Sequence, residues 1–535
     1  MISDRIHRKQ AMHTLKKWAL AAGWSAAALC SHSAHGADVR TEAGPVRGVA
    51  QAGVVAFKGI PYAQAPVGAL RWRAPQPMQP WTAVRDAMQY GADCTQQPFG
   101  GDAAPLGVTP AEDCLYLNVW RPAGGGTAPL PVMVWLHGGG FVNGGSSPAT
   151  YDGSGLARQG VILVSLNYRL GRFGFFAHPA LSAAPHDEEA LGNYGYMDQL
   201  AALRWVQRNI GAFGGNPANV TLFGESAGGG SALAMLTTPL AKGLFHKVIV
   251  QSGGGRGPLL PMRELATDAP GLPSAESVGV AFARKAGIDG RDGAALAALR
   301  ALPADAIVDG LDMGSMFNAT YVTGPVRDGA IVTGTPDAII RRGGQLRVPV
   351  IAGATSADLG MTQAKTKDEL FASFGPAAAR ARAAYDPDGR QELQALAGAV
   401  GADRTMVEPA RLVARLVAAQ GLPAWQFRFS YVAAALRKEG QGATHASDVP
   451  YVFNTVQARY GDQATPADVA AARAASAYWV AFAKTGNPNA AALPRWPQVS
   501  ATGNQLLDFS NAGPQAVADP WRQRLDLVEA AAARQ

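Results

Sequence analysis

A chain of 535 residues with 48% hydrophobic and 16% charged residues has a globular composition, without the charge blocks or repeats of a disordered or fibrous protein. The formal charge of +7 sits mostly at the front, where Arg5, Arg8, Lys9, Lys16 and Lys17 meet only Asp4 within residues 1–36. The +3 left for the remainder is too small to suggest a nucleic-acid binder.

The front segment, residues 1–36, reads as a secretory signal peptide. Lys16-Lys17 form a basic n-region, Trp18 to Cys30 an apolar stretch too short to span a bilayer, and Ala34 and Gly36 put small residues at the cleavage-determining positions. A start at Met12 gives a more ordinary n-region than Met1. The protein is therefore expected to be exported, periplasmic or extracellular, with no membrane span in the mature chain. Removing the leader takes Cys30 and leaves Cys94 and Cys114. In an oxidising compartment this pair is expected to bridge, and closing a loop of that size stabilises by about 3 kcal/mol.

Downstream, strand-like and helix-like runs alternate. Val132-Met133-Val134-Trp135-Leu136 and Val161 to Leu166 are short, bounded by Gly or Pro, and apolar on both faces, as interior strands of a mostly parallel sheet are. His137-Gly138-Gly139-Gly140-Phe141 follows the first at once, and consecutive glycines let backbone N–H groups approach a bound carbonyl. Tyr196 to Ile210 carries Leu200, Leu203, Val206 and Ile210 at helical spacing. Val220-Thr221-Leu222-Phe223 then leads into Gly224-Glu225-Ser226-Ala227-Gly228 and a small-residue, helix-compatible stretch to Leu236. Strand, glycine-flanked serine, helix is the context of a nucleophile elbow. The turn is sharp enough to strain the serine and to require small residues two before and two after it. The Ala227 N–H, at the helix start, can face a developing oxyanion. In a chain with 63 glycines the five-residue pattern is weak alone, so its partners decide its meaning. Val248-Ile249-Val250 and Val348 to Ile351 supply further strands, completing an α/β sheet with the serine after a central strand. Residues 273–319 and 376–420 are alanine-rich and amphipathic, and are expected as helical insertions over the sheet that shape a substrate gorge.

A serine in such a turn needs a base, an orienting acid and oxyanion donors. Past the leader the histidines are His137, His178, His186, His246 and His445. The chain order serine, acid, histidine of α/β hydrolases leaves His246 and His445. His246 immediately precedes an apolar strand and reads as packing or capping, whereas His445 lies in the small polar loop Gly442 to Asp448 and is taken as the base. Asp358, just past the strand ending at Ile351, is the preferred acid. Asp328 is second, since Asp328-Gly329 reads as a turn. Gly139, Gly140 and Ala227 are the oxyanion donors. The machinery calls for no cofactor and no metal. A binding protein on the same scaffold is the competing class, but such a protein would lack the nucleophile or the histidine.

These residues sit inside longer segments that resemble the type-B carboxylesterase/lipase family, which includes cholinesterases and bacterial para-nitrobenzyl esterases. Phe213-Gly214-Gly215 through Gly228 resembles its serine signature, and Glu112 to Trp120 resembles a second signature around the second cysteine of its first disulfide. Gly59 to Ala63, Ser165 to Arg169 and Ala483 to Pro488 are similar to further family segments, so the resemblance runs from about residue 38 to 525. It implies an α/β-hydrolase fold with a central mostly parallel twisted sheet, flanking helices and helical caps, in a single domain over 37–535. It implies the triad Ser226, Asp358, His445, with one departure: the family usually has glutamate where Asp358 stands, one methylene longer. It also implies that Glu225 is a buried electrostatic partner and not the triad acid. The substrate implied is a small-molecule carboxylic ester, split through an acyl-enzyme. Related acyltransferases and polyester, tannin or lactone hydrolases use the same triad. Cholinesterases carry a tryptophan in the first disulfide loop for cation–π binding; here Phe99 is the only aromatic between Thr95 and Asp113, which disfavours choline esters. The sequence carries no signature of an oligomeric state.

Overall fold

Side chains along Leu130–Leu136 show how the fold is layered: Val132, Val134 and Leu136 enter one hydrophobic core, while Met133 and Trp135 enter the other. Successive residues of a strand face opposite sides of its sheet, so a run apolar on both faces must be covered on both. The computed structural model describes residues 37–534 except 125, 127, 185–190, 258–260, 318–319, 321–323, 361 and 438–441; the signal peptide expected over 1–36 lies outside the described residues.

In chain order the strands are β1 Ala37–Arg40, β2 Pro45–Gln51, β3 Val54–Pro61, β4 Arg85–Asp86, β5 Tyr116–Pro122, β6 Leu130–Leu136, β7 Ile162–Leu166, β8 Gly215–Glu225, β9 Lys247–Gln251, β10 Arg263–Glu264, β11 Val326–Arg327, β12 Val350–Thr355, β13 Ala424–Phe429, β14 Gln505–Ser510 and β15 Gly513–Ala518. Among the described residues the main sheet runs β1-β2-β3-β5-β7-β6-β8-β9-β12-β13-β14-β15, with β4 against β2; β10 and β11 form a separate pair. From β7 to β14 every pairing is parallel; the outer pairings along this order are antiparallel, and β4 lies parallel to β2. This is the α/β-hydrolase fold. The helix Tyr194–Asn209 packs with one core, and Pro466–Thr485 packs with the other, where Trp425, Trp479 and Trp496 are buried. Cys94 and Cys114 are bonded to each other. Among the described residues no helix is long and apolar enough to cross a membrane.

Residues 273–319 contain the helices Ala275–Lys285, Gly293–Ala301 and Ala304–Val308. Residues 376–420 divide differently from the expectation of a cap. Ala378–Tyr385 and Leu393–Ala402 share a satellite core with the C-terminal helix Arg522–Ala532. Glu408–Ala419 is instead the crossover between β12 and β13, burying Val413, Ala414 and Val417 in the main core. Two parallel neighbours require such a connection, and its amphipathic stripe is indistinguishable in sequence from that of a cap helix.

Candidate active site

Strand β8 ends at Glu225 and the helix Ala227–Thr237 starts two residues later, so Ser226 alone makes the turn, at φ 57° and ψ −122°. A left-handed φ at a residue with a side chain costs of order 1–3 kcal/mol and persists only where the surroundings enforce it. Here they do: the Ser226 N–H donates to the Gln251 carbonyl at 3.0 Å, and the Gly230 N–H donates to the Ser226 carbonyl at 2.8 Å. The flanking glycines answer to sterics. A Cβ on Gly224 would stand 2.4 Å from the Gly228 backbone, and one on Gly228 would stand 2.0 Å from the Leu136 carbonyl oxygen.

Ser226 Oγ lies 2.8 Å from His445 Nε2, and His445 Nδ1 lies 2.5 Å from Asp358 Oδ1. Asp358 is buried and accepts three further hydrogen bonds, from Leu359 N–H to Oδ1 and from Ser252 Oγ and Thr355 N–H to Oδ2, at 2.7, 2.6 and 2.9 Å. The loops bearing acid and imidazole are tied together directly: Ala357 N–H donates to the Ala443 carbonyl at 2.8 Å, and Ala443 N–H to Ser356 Oγ at 2.9 Å. That lacing lets the shorter aspartate reach the ring. Asp328 instead closes a turn, its Oδ1 accepting the N–H groups of Ala330, Ile331 and Val332. His246 caps, its Nδ1 accepting Val220 N–H at 3.2 Å.

Glu225 is buried, with Oε1 3.3 Å from His445 Nε2. Desolvation pushes its carboxyl above the usual range, opposed by the His445 charge and aided by Asp448 and Asp358. For His445 partial burial disfavours the charged form, but the Glu225, Asp358 and Asp448 charges outweigh it and raise the imidazole above its ordinary value. The cluster therefore stabilises an imidazolium strongly. A serine hydroxyl bonded to a ring whose other nitrogen meets a buried carboxylate can pass its proton to that ring as the oxygen attacks.

Gly139 and Gly140, at φ 107° and 62°, border the same chamber as Ser226 and His445. Ala227 opens its helix, so its N–H has no carbonyl a turn earlier to bond. The preceding His137 is buried and stacked on Tyr168, with ring centroids 4.3 Å apart. Burial lowers its pKa to about 4, so the ring is neutral, and Nδ1 carries the proton that it donates to the Gly138 carbonyl at 2.9 Å. Ser252 and Asp448 were not singled out by sequence reasoning. Ser252 follows the strand beside the serine's own, at φ 46°, and only the neighbourhood of β9 and β12 links it to Asp358. Asp448 shares the His445 loop but reads there as an ordinary loop acid; in the fold it is buried, accepts from Gln251 Nε2 at 2.7 Å, and is pushed up to about 6 by desolvation. Among the described residues no group of three or more His, Cys, Asp or Glu side chains could hold a metal ion.

Two chambers meet at Ser226. An inner one of about 70 Å³ is walled by Phe141, Leu233, Met262, Ile331, Val332 and Met406. Met406 comes from Asp403–Val407, a single π-helical turn. The outer chamber, about 340 Å³, is bordered by His445 and the glycine loop and by Phe99, Tyr151, Phe317, Leu436, Arg459 and Tyr460.

The sequence model of the carboxylesterase family matches residues 35–524. Fumonisin B1 esterase of Sphingopyxis macrogoltabida is 34% identical over 493 residues, 88% of this chain and 86% of that one. Carboxylesterase 1D of Rattus norvegicus is 33% identical, covering 83% of each chain. The medium-chain fatty acyl-CoA hydrolase precursor of Anas platyrhynchos is 34% identical, covering 91% of each. Two solved structures of PNB esterase superpose with TM-scores of 0.75 and 0.77 at 32% identity, covering 92% and 91% of this chain and 99% of theirs.

Proposed function

The chain belongs to the carboxylesterase family and is a carboxylic ester hydrolase, and we propose that it works through an acyl-enzyme formed on Ser226. The observation that carries this reading is the unbroken relay of 2.8 and 2.5 Å from Ser226 Oγ through His445 to Asp358. As Ser226 Oγ bonds to the ester carbonyl carbon, its proton passes to His445 Nε2, and Asp358 holds Nδ1–H and the growing imidazolium. The carbonyl oxygen becomes an oxyanion held by the N–H groups of Gly139, Gly140 and Ala227, each worth about 3–4 kcal/mol in the transition state. Collapse breaks the ester C–O bond, and the Nε2 proton leaves with the alcohol. Water then repeats the sequence on the acyl-enzyme, releasing the acid and restoring Ser226. Glu225 supports the imidazolium from the nucleophile's side.

The same geometry orients the substrate. The leaving oxygen takes its proton from His445, which borders the outer chamber and not the inner one, so the alcohol part occupies the outer chamber. The acyl part then enters the inner chamber past Ala227 and Gly230, among apolar side chains. A short to medium apolar acyl group on a larger alcohol fits these volumes. The basic, then apolar, leader over residues 1–36 and the bonded Cys94–Cys114 pair support export to the periplasm or the extracellular medium.

A panel of p-nitrophenyl esters of increasing acyl length, set beside butyrate esters of increasingly bulky alcohols, tests the reading. The expected result is a steep optimum in acyl length and a shallow dependence on the alcohol. Ala234→Phe, in the inner wall, should shorten the acyl optimum alone. The opposite pattern, alcohol steep and acyl shallow, would reverse the chamber assignment. A fluorophosphonate should label Ser226 and no other serine; labelling elsewhere would remove the nucleophile. Transfer of the acyl group to added alcohols in preference to water would favour an acyltransferase instead.

A further inference from the structure

Four residues of the glycine loop, Gly139, Gly140, Phe141 and Gly144, have left-handed φ, at 107°, 62°, 63° and 105°. Something must fix such a loop if its N–H groups are to face one point in space. The Gly139 carbonyl accepts the N–H groups of Val142 and Asn143 at 3.0 and 2.8 Å. Because a trans peptide is planar, turning the Gly139 C=O toward Asn143 turns the Gly140 N–H the opposite way. The direction of one oxyanion donor is thus set by where the Asn143 backbone lies.

The Asn143 side chain fixes that position. It is 1% exposed and bonded on every side. Its Nδ2 donates to Gln96 Oε1 at 3.1 Å and to the Gln97 carbonyl at 2.6 Å, and its Oδ1 accepts the Met313 N–H at 2.8 Å. Gln96 completes the clamp: Oε1 accepts the Gly144 N–H at 2.9 Å, and Nε2 donates to the Gly144 and Cys94 carbonyls at 2.6 and 2.9 Å. Gln96 and Gln97 belong to the disulfide loop, and Met313 belongs to the segment after the cap helices, whose Met316 stands over Gly140. Buried amide networks of this kind are rigid when every member is satisfied, and losing one member leaves its partners unpaired.

We propose that Asn143, held by Gln96, is a positioning residue for the oxyanion hole, locking the Gly139–Gly140 peptide in the orientation that serves the transition state and coupling it to the disulfide loop and the cap. The proposal rests on the oxyanion role given above to the glycine loop. Its effect falls on the tetrahedral state, where the oxygen carries charge, and not on ground-state binding.

The test uses a trifluoromethyl ketone, which adds to a serine hydroxyl to give a tetrahedral oxyanion. Wild-type protein should bind it tightly and Ser226→Ala should not; failure at this step would count against the reading of the site, before any positioning is examined. In Asn143→Ala, kcat/KM should fall roughly 10- to 100-fold through kcat, with KM within about two-fold, and the ketone's Ki should rise by the same factor. Gln96→Met keeps the volume, removes the clamp and should act in the same direction; it also carries the test should Asn143→Ala not fold. The double variant should be little worse than the worse single one, as expected of two members of one network. Asn209→Ala removes another buried amide, one that bonds Glu42 and the Trp205 carbonyl away from the site. It should lower Tm without changing kcat or the Ki. If Asn143→Ala and Gln96→Met likewise lower only Tm, or raise only KM, Asn143 is structural and the proposal is wrong.

Discussion

Replacing Asp358 by asparagine removes one charge and almost no volume, and its cost can be worked from four hydrogen bonds. The carboxylate accepts at both oxygens: His445 Nδ1 and Leu359 N–H at Oδ1, Ser252 Oγ and Thr355 N–H at Oδ2. An amide must place its NH2 at one of these two ends. At the Oδ2 end it faces a backbone N–H that cannot accept, at a cost of about 1–3 kcal/mol for the unpaired donors. At the Oδ1 end it faces Leu359 N–H at similar cost and donates to Nδ1, which moves the ring proton to Nε2. His445 then presents a donor to Ser226 and cannot take its proton. Both arrangements also remove the charge that stabilises the imidazolium. A wrong tautomer in a serine hydrolase lowers kcat by about 10⁴, or about 5.5 kcal/mol of barrier. Asp358→Asn should approach that loss against p-nitrophenyl butyrate, with a melting temperature close to wild type. Asp328→Asn, which disturbs the turn at Ala330–Val332 and the bond from Asn193, should change Tm and leave kcat nearly untouched. If Asp358→Asn keeps more than a tenth of the wild-type kcat, or if Asp328→Asn loses it instead, the tautomer argument fails and the acid has been misassigned.

Glu225→Gln removes the carboxylate that does most to raise the His445 pKa. The imidazole should then lose its proton at lower pH, so the acid limb of the kcat/KM profile should move to lower pH; a stationary or upward-moving limb would contradict the coupling. Ser226→Gly should abolish turnover yet stabilise the fold by about 1 kcal/mol, since glycine relieves the left-handed strain at some cost in unfolded-chain entropy. A denaturation midpoint below wild type would mean that the turn is not strained. Replacing Cys94 and Cys114 by serine should cost about 3 kcal/mol in denaturant unfolding. Because Asp93 and Gln96 beside the bridge hold the backbone of residues 144–147, kcat should fall as well, and a variant of unchanged kcat would show that loop to be self-supporting.

The sharp turn at Ser226 was legible in the sequence because its requirements are local. A sharp turn admits only small residues at Gly224 and Gly228, and the strand before it and helix after it are contiguous with it. The interior strands were legible for a related reason: a run apolar on both faces, such as Val132–Leu136, has few places to go but the middle of a two-sided sheet. The paired cysteines followed from their number. Less legible were groups whose surroundings come from partners far along the chain. Asp358 stood above Asp328 only on the Asp328-Gly329 turn signal, whereas in the fold residues 356–357 are laced to 443–444 and bring Asp358 to the ring. Ser252 reaches Asp358 across 106 positions, and Gln96 reaches Gly144 across 48. A serine, an amide or an amphipathic helix such as Glu408–Ala419 looks alike in sequence wherever it serves, because its hydrogen-bonding and apolar groups are generic. The sequence by itself determined the turn, the strands and the chemistry they can host. Which carboxylate meets the imidazole, and which side chains brace the glycine loop, was decided only when the parallel sheet brought distant loops to one edge.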